Sequence, residues 1–276
     1  PPPPEDDTDP PEEPTPPDDP VLPGLSIADV EAREGDPATP GADPIVTPLS
    51  ADGNRIVDAD GDPVALAGVN WFGFETNIGV AHGLWTRNWR DMMDEMADLG
   101  FNMIRLPFSA TAVTTDYEPG GIDYALNPDL EGLTSLEIMD KVIDYAGDKG
   151  LKILLDNHRT FPGDGPNANG LWYDGNFTED DWVAMWRDLA ERWGDEPAVI
   201  GADLVNEPHG ASWDEWATAA ERAGNAVLAV EPDWLVFVEG VGAYEGDPYW
   251  WGGSLKGVRE RPVELDVADK LVYSPH

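Results

Sequence analysis

Four apolar runs end in residues that can move protons or hold charge. Arg105 lies in IRLPFS, His158 in LLDNHR, the pair Asn206-Glu207 in LVNEPH, and His276 closes VYSPH. A glutamate with an amide beside it and a guanidinium and imidazoles nearby has the makings of a general acid/base whose ionisation the neighbours tune. One such glutamate by itself would read as a solvated or salt-bridged loop residue. Four polar strand ends brought to one face read as a site.

The elements that must carry these residues follow from the pattern of apolar residues. Strand-like runs cover residues 65–70, 102–106, 152–156, 199–206, 235–239 and 271–274, and their near-continuous apolar character suits a parallel sheet covered on both faces. Helical spacing lies between them, in Trp89, Met92, Met93, Met96 and Leu99 and again in Trp182, Met185, Trp186, Leu189 and Trp193, and these tryptophans read as core. Thr134 with Glu137, and Ser212 with Glu215, form capping boxes before two further helices, the second reaching Val230. Upstream, Asp58-Ala59-Asp60-Gly61-Asp62 reads as the turn of a small hairpin. Strand–helix alternation of this length predicts α/β architecture, either a (β/α) barrel or an open doubly wound sheet. No glycine-rich phosphate fingerprint follows any strand, which favours the barrel, where strand ends converge on the face that carries active sites.

Composition narrows the function classes. The 276 residues contain 16 Lys+Arg against 55 Asp+Glu, a formal net charge of −39, so nucleic acid and anionic membranes are repelled rather than bound. With no cysteine, thiol enzymes, disulfide scaffolds and thiolate metal sites are excluded. No apolar run has the length of a membrane span. Residues 1–48 hold 13 of the acidic residues, one basic residue and 15 of the 27 prolines. They read as an extended, self-repelling linker that tethers an upstream domain, and residues 49–276 as the folded domain. The chain opens at Pro1 without a signal-peptide pattern, so its N-terminus is expected to be processed or missing. The remainder still carries a net −27 and the whole chain only five lysines, which points to a salt-rich habitat. The four histidines lack paired ligand spacing, and DADGD lacks the later glutamate of a calcium loop; neither a metal nor a cofactor is expected.

GVNWFGFET, GFNMIRLPFS, GLTSLEIMDKVIDYAGDKGLKILLDNHR, DLVNEPHG, ERAGNAVL, FVEGV, YWWGG and LVYSPH, in this order and spacing, resemble the secreted endoglucanases of glycoside hydrolase family 5 over residues 50–276. The resemblance implies a TIM (β/α)8 barrel and retaining endo-β-1,4-glucanase chemistry on an extracellular β-glucan, by a monomer. It assigns Glu207 as acid/base and Asn206 as partner of the sugar 2-hydroxyl. Arg105 and His158 orient and charge-tune the carboxylates, and His276 is the active-site histidine after the sixth strand. The nucleophilic glutamate belongs at the end of a seventh strand, so the chain is expected to be a barrel lacking its C-terminal part, with about six of eight strands. Glu239 and Glu75 are the internal carboxylates that could stand in, although a structural role suits both better. Aromatic rings that cover the flat faces of sugars are expected at Trp71, Trp250, Trp251, Trp172 and Tyr244, with Phe72, Trp85, Trp213 and Tyr249 in the same class. His82 and His209 read as structural. The alternatives are a β-mannanase or other β-glycanase, a carbohydrate-binding fragment without turnover, and an acidic interaction or ion-binding protein.

Overall fold

A computed structural model describes residues 45–276. Of the expected linker, residues 1–44 therefore lie outside the described residues, while Ile45 packs on a small apolar cluster around Leu49.

Six parallel strands form the central sheet, in the spatial order of their sequence: β4 (Gly68–Asn70), β5 (Met103–Ser109), β6 (Lys152–Arg159), β7 (Val199–Asp203), β8 (Leu235–Glu239) and β11 (Leu271–Ser274). Helices α1 (Trp89–Asp98), α2 (Ala110–Thr114), α3 (Ser135–Lys149), α4 (Glu179–Trp193) and α5 (Trp213–Leu228) make the crossovers. The sheet is part of a barrel wall, with β4 and β11 as its edge strands among the described residues. The last crossover departs from the expected alternation. Between β8 and β11 the chain forms the hairpin β9 (Ala243–Tyr244) and β10 (Asp247–Pro248) and a single 3-10 turn, Lys256–Arg259.

Local chemistry explains the helix starts. Thr134 and Ser212 each cap their helix in a complete capping box, as their spacing to Glu137 and Glu215 predicts. A third box, Thr178 with Asp181, starts α4; its shorter aspartate at the third position departs from the usual Glu/Gln signature. Leu99 departs from the expected apolar stripe. It caps the C-terminus of α1 and is 63% exposed, because the stripe ends where the helix does.

Side-chain alternation sends the strands' apolar residues to two clusters. Ile104, Leu106, Ile153, Leu155, Val236 and Val238 face the helices. Leu154, Ile200, Leu235 and Phe237 face the other way, joined by Met103 and Val272. Ile56 and Val64 cover this inner cluster from the antiparallel sheet of β1 (Ser50–Asp52), β2 (Arg55–Val57) and β3 (Pro63–Val64). Asp58 shapes the β2–β3 turn by accepting the N–H groups of Asp60 and Asp62 on one oxygen, at 3.0 and 2.9 Å. The inner face is thus apolar at the N-terminal end of the strands. Two residues further along β5, β6 and β8, on the same face, it becomes charged.

Candidate active site

Period-two alternation places Arg105 after Met103, Asp156 after Leu154 and Glu239 after Phe237, while Asp203 pairs in register with Asp156. The result is one guanidinium among three carboxylates. Arg105 donates from Nε and Nη2 to Asp203 Oδ2 at 2.9 and 2.7 Å, and its Nη1 lies 2.8 Å from Asp156 Oδ2. Nη2 also reaches Glu239 Oε1 and Asn206 Oδ1, each at 3.2 Å, and Nη1 donates to Asn70 at 3.3 Å. His158 Nδ1 shares Asp156 Oδ2 at 2.7 Å. The second oxygens of Asp156 and Asp203 are buried without a partner.

Burial and charge set the ionisation of this cage. Desolvation raises Asp203 to about 6, with Asp156 adding to the rise and Arg105 opposing it. Glu239 is held well above the usual carboxylate range, by burial first and then by Asp203, against the pull of Arg105 and the Glu207 N–H. For Asp156 the same burial is outweighed by Arg105 and His158, so its acidity is strengthened. His158 is pushed down by burial but raised overall by Asp156 and Glu75, and Arg105 remains charged for the same reason. Three carboxylates crowd two cations here, so burial and mutual repulsion raise Asp203 and Glu239 while Arg105 and His158 lower Asp156.

Glu207 sits just past β7, above this cage. Its φ of +50° lies in the left-handed region, unusual for a residue with a side chain. Its N–H donates to Glu239 Oε2 at 2.7 Å, and His209 Nδ1 donates to its carbonyl at 2.7 Å. Its carboxylate keeps 16% side-chain exposure, against 2% for Glu239, 3% for Asp203 and none for Asp156. His276 Nδ1 lies 2.9 Å from Glu207 Oε1 and 4.0 Å from Glu239 Oε2. The helix tryptophans help to fix these strand ends. Trp182 and Trp186 donate to the Leu204 carbonyl, and Trp216 donates to that of Glu239.

Two aromatic surfaces lie open. Tyr249, Trp250 and Trp251 follow the β9–β10 hairpin and are 62%, 72% and 50% exposed, and the His209 ring stacks on Trp251 at 4.0 Å and 10°. Phe72, His82 and Trp85 form the other, with His82 packed 4.3 Å from Phe72 and edge-on to Trp85 at 4.4 Å.

The family model described as cellulase (glycosyl hydrolase family 5) matches residues 57–276. The chain belongs to glycosyl hydrolase family 5. Family 5 relatives include an endoglucanase of Paenibacillus polymyxa, 47% identical over 251 residues that cover 83% of this chain and 62% of the relative. The major extracellular endoglucanase of Xanthomonas campestris pv. campestris is 45% identical, over 80% of this chain and 47% of the relative. The chain thus spans less than two thirds of the length of these curated relatives. Among solved structures, the endocellulase of Pyrococcus horikoshii in complex with cellotetraose superposes with a TM-score of 0.76 at 44% identity, covering 83% of this chain and 68% of that one. The six-stranded parallel sheet is therefore an incomplete family 5 barrel.

Against this family 5 frame, the structure brings Arg105, Asn206, Glu207 and His276 together, and joins His158 to them through Asp156. Three aromatic expectations are corrected, at Trp172, Trp71 and Trp213. Trp172 is 2% exposed, among Trp182, Trp216 and Tyr173, with its indole N–H donating to Glu179; packing between α4 and α5 leaves no ring face for a sugar. Trp71 is 4% exposed, with its N–H on the His82 carbonyl, because its neighbour Phe72 is the residue that turns outward. Tyr244 is half-buried. Trp213 is 2% exposed, in the core. Glu75 is sealed as well, accepting the Gly73 N–H at 2.6 Å, with burial raising its carboxyl. Asp156 and Asp203 are site residues that the strand-end pattern does not single out. Their signal is an aspartate inside an otherwise apolar strand run, which needs a buried cation. Among the described residues no three His, Cys, Asp or Glu side chains are arranged to hold a metal ion, and no helix is long and apolar enough to cross a membrane.

Proposed function

We propose that this chain is the acid/base half of a retaining endo-β-1,4-glucanase that works outside the cell. The observation that carries the reading is the contrast around Glu207: its carboxylate is accessible at the mouth, while Asp156, Asp203 and Glu239 below it are sealed against Arg105. Glu207 protonates the leaving oxygen and then deprotonates the incoming water. Asn206 spends its Oδ1 on Arg105, which leaves its amide N–H groups for the 2-hydroxyl of the sugar. Arg105 and His158 keep the positive potential under the site, and His276 contacts the acid/base directly. Trp250 and Trp251, with Phe72 and Trp85 from the other aromatic surface, supply stacking faces for a glucan chain.

A retaining mechanism needs a second, nucleophilic carboxylate about 5–5.5 Å from the first. Glu239 and Glu75 are both buried and engaged by main-chain N–H groups, so neither is free to attack an anomeric carbon. The nucleophile is therefore assigned to a further strand of the barrel, supplied by the longer protein. Secretion, a monomeric state and a tether through residues 1–48 belong to the same proposal, and the −39 charge adds tolerance of molar salt.

Reducing-end release tests the reading, with soluble β-1,4-glucan and mannan offered in molar salt to this chain and to a version extended through two more strands. Hydrolysis of glucan only by the extended form supports the glucanase activity and the assignment of the nucleophile. Turnover by the 276-residue chain alone overturns the assignment of the nucleophile, and preference for mannan overturns the substrate.

A further inference from the structure

The backbone of Glu207 is in a conformation that its sequence opposes. A φ of +50° is disfavoured for a residue with a Cβ, and the ring of Pro208 pushes the residue before it towards extended geometry. Something outside the segment must hold this turn. The Glu207 carbonyl is taken by His209 from the same loop, but its N–H is taken by Glu239 from the neighbouring strand, at 2.7 Å.

Resting on the glucanase reading, we propose that Glu239 is the positioning residue of the acid/base, its carboxylate clamping the Glu207 N–H and so aiming the Glu207 side chain into the mouth. The geometry around Glu239 is arranged for that single task. Oε2 holds Glu207, while Oε1 accepts from the same Arg105 Nη2 that holds Asn206. Trp216 fixes the Glu239 main chain through its carbonyl at 2.9 Å. Gly252, at a φ of +74°, passes directly over the clamp, and a Cβ there would overlap Glu239 Oε2. A carboxylate that is 1% exposed is costly to bury, and an apolar side chain would fill the space at lower cost, so its retention fits a positional role rather than a stabilising one. Glu239 itself touches no substrate. It acts only through Glu207 and Arg105.

A fault in aiming the acid has a signature that general damage lacks. Glucan has a poor leaving group and needs the proton of Glu207, whereas a dinitrophenyl β-cellobioside leaves without protonation. In the glucan-hydrolysing enzyme, Glu239→Ala and Glu239→Gln are expected to lower kcat/KM on soluble glucan by about 100-fold, and to change kcat/KM on the dinitrophenyl substrate, which reports only the first step, by no more than about threefold. Gly252→Ala, which presses on the clamp without removing a buried charge, is expected to show the same split, to a smaller degree. Amide hydrogen exchange on the 276-residue chain gives an activity-independent reading: the Glu207 N–H exchanges at least about tenfold faster in the Glu239 variants, while amides of β5 and β6 are unchanged. Equal loss on both substrates, or unchanged exchange at Glu207, overturns the proposal. If the unsubstituted enzyme hydrolyses neither substrate, the glucanase reading fails, and the exchange measurement decides the clamp by itself.

Discussion

Beneath Glu207 the strands bury Arg105 among Asp156, Asp203 and Glu239, none of whose side chains is more than 3% exposed. Beside it, Tyr249, Trp250 and Trp251 stand at least half exposed on a loop that replaces the last crossover helix. The first region is rigid and electrostatic; every member is fixed by strand register, and its interactions are strengthened by exclusion of water. The second is apolar and open, held by main-chain hydrogen bonds such as that of the Tyr249 N–H to Gly242 and by the His209 ring stacked on Trp251. On the proposed reading chemistry and grip are separated, so changes below Glu207 are expected in kcat and stability, and changes beside it in binding.

The largest separation is expected at Glu207. Glu207→Gln removes the transferable proton and keeps the shape, so hydrolysis of unactivated glucan by the enzyme falls by about 10²–10⁴-fold, while calorimetric affinity for cellotetraose stays within about threefold. An equal loss of affinity would mean that Glu207 binds substrate rather than protonating it. Next is Arg105→Ala, which leaves three buried carboxylates facing only His158. A loss of about 3–5 kcal/mol in denaturant-unfolding stability is expected. A loss under about 1 kcal/mol would show that water already reaches the cage.

Trp172 sharpens the comparison because its sequence context resembles that of the rim. Trp172→Ala is expected to cost about 3–5 kcal/mol of stability by opening a cavity beside Trp182 and Trp216, and to leave cellotetraose affinity in the folded fraction unchanged. Weakened binding at unchanged stability would return this ring to the cleft.

How far the sequence can be read differs in the same way between the two regions. The strand ends are legible because an apolar run bound for a parallel sheet has no packing use for a terminal Arg, His or Asn-Glu, whose charges and amides must face a polar mouth. The capping boxes at Thr134 and Ser212 follow from local spacing alone, whereas that of Thr178 is concealed by Asp181, an aspartate where glutamate is usual. The cage is only half legible. Glu239 stands out at a strand end, but Asp156 and Asp203 acquire their meaning from cross-strand register, which brings them together from β6 and β7. Among the aromatics, type and neighbourhood do not separate Trp71 from Phe72 or Trp172 from Trp250. Which ring turns outward depends on loop conformation, to which hydropathy is blind.

The cage also makes a prediction in pH. Asp203 titrates near 6 in the folded chain against an ordinary 3.8, so between these values the folded state binds more protons than the unfolded one. Its contribution therefore lowers stability as pH rises from about 4 to about 6, the opposite of Asp156, whose lowered value stabilises above 3.8 and is lost in acid. Asp203→Asn keeps an oxygen for Arg105, fills the unpartnered position with an amide, removes the first effect and, by taking away the Asp203 charge, also eases the rise at Glu239. Relative to the unsubstituted chain, its melting temperature is expected to gain about 2–4 °C or more between about pH 4 and about pH 6.5, read by calorimetry at fixed salt. A constant difference across that range would show that Asp203 is not the group titrating there.

The smallest effect belongs to the most exposed ring. Trp250 is 72% exposed and stacks on no other aromatic among the described residues, so Trp250→Ala is expected to shift stability by less than about 0.5 kcal/mol. Loss of one stacking face is worth about 0.5–1.5 kcal/mol, so cellotetraose should bind about two- to tenfold more weakly, with kcat on saturating glucan unchanged. Trp251→Ala should weaken binding similarly but also cost stability, because it uncovers His209 and loosens the hydrogen bond to the Glu207 carbonyl, and so it should also lower kcat. On the proposed reading the two neighbouring tryptophans mark the boundary between the regions: Trp250 belongs wholly to grip, and Trp251 reaches Glu207 through a single histidine. Identical behaviour of the two variants in kcat would show that the His209 contact carries nothing from the rim to Glu207.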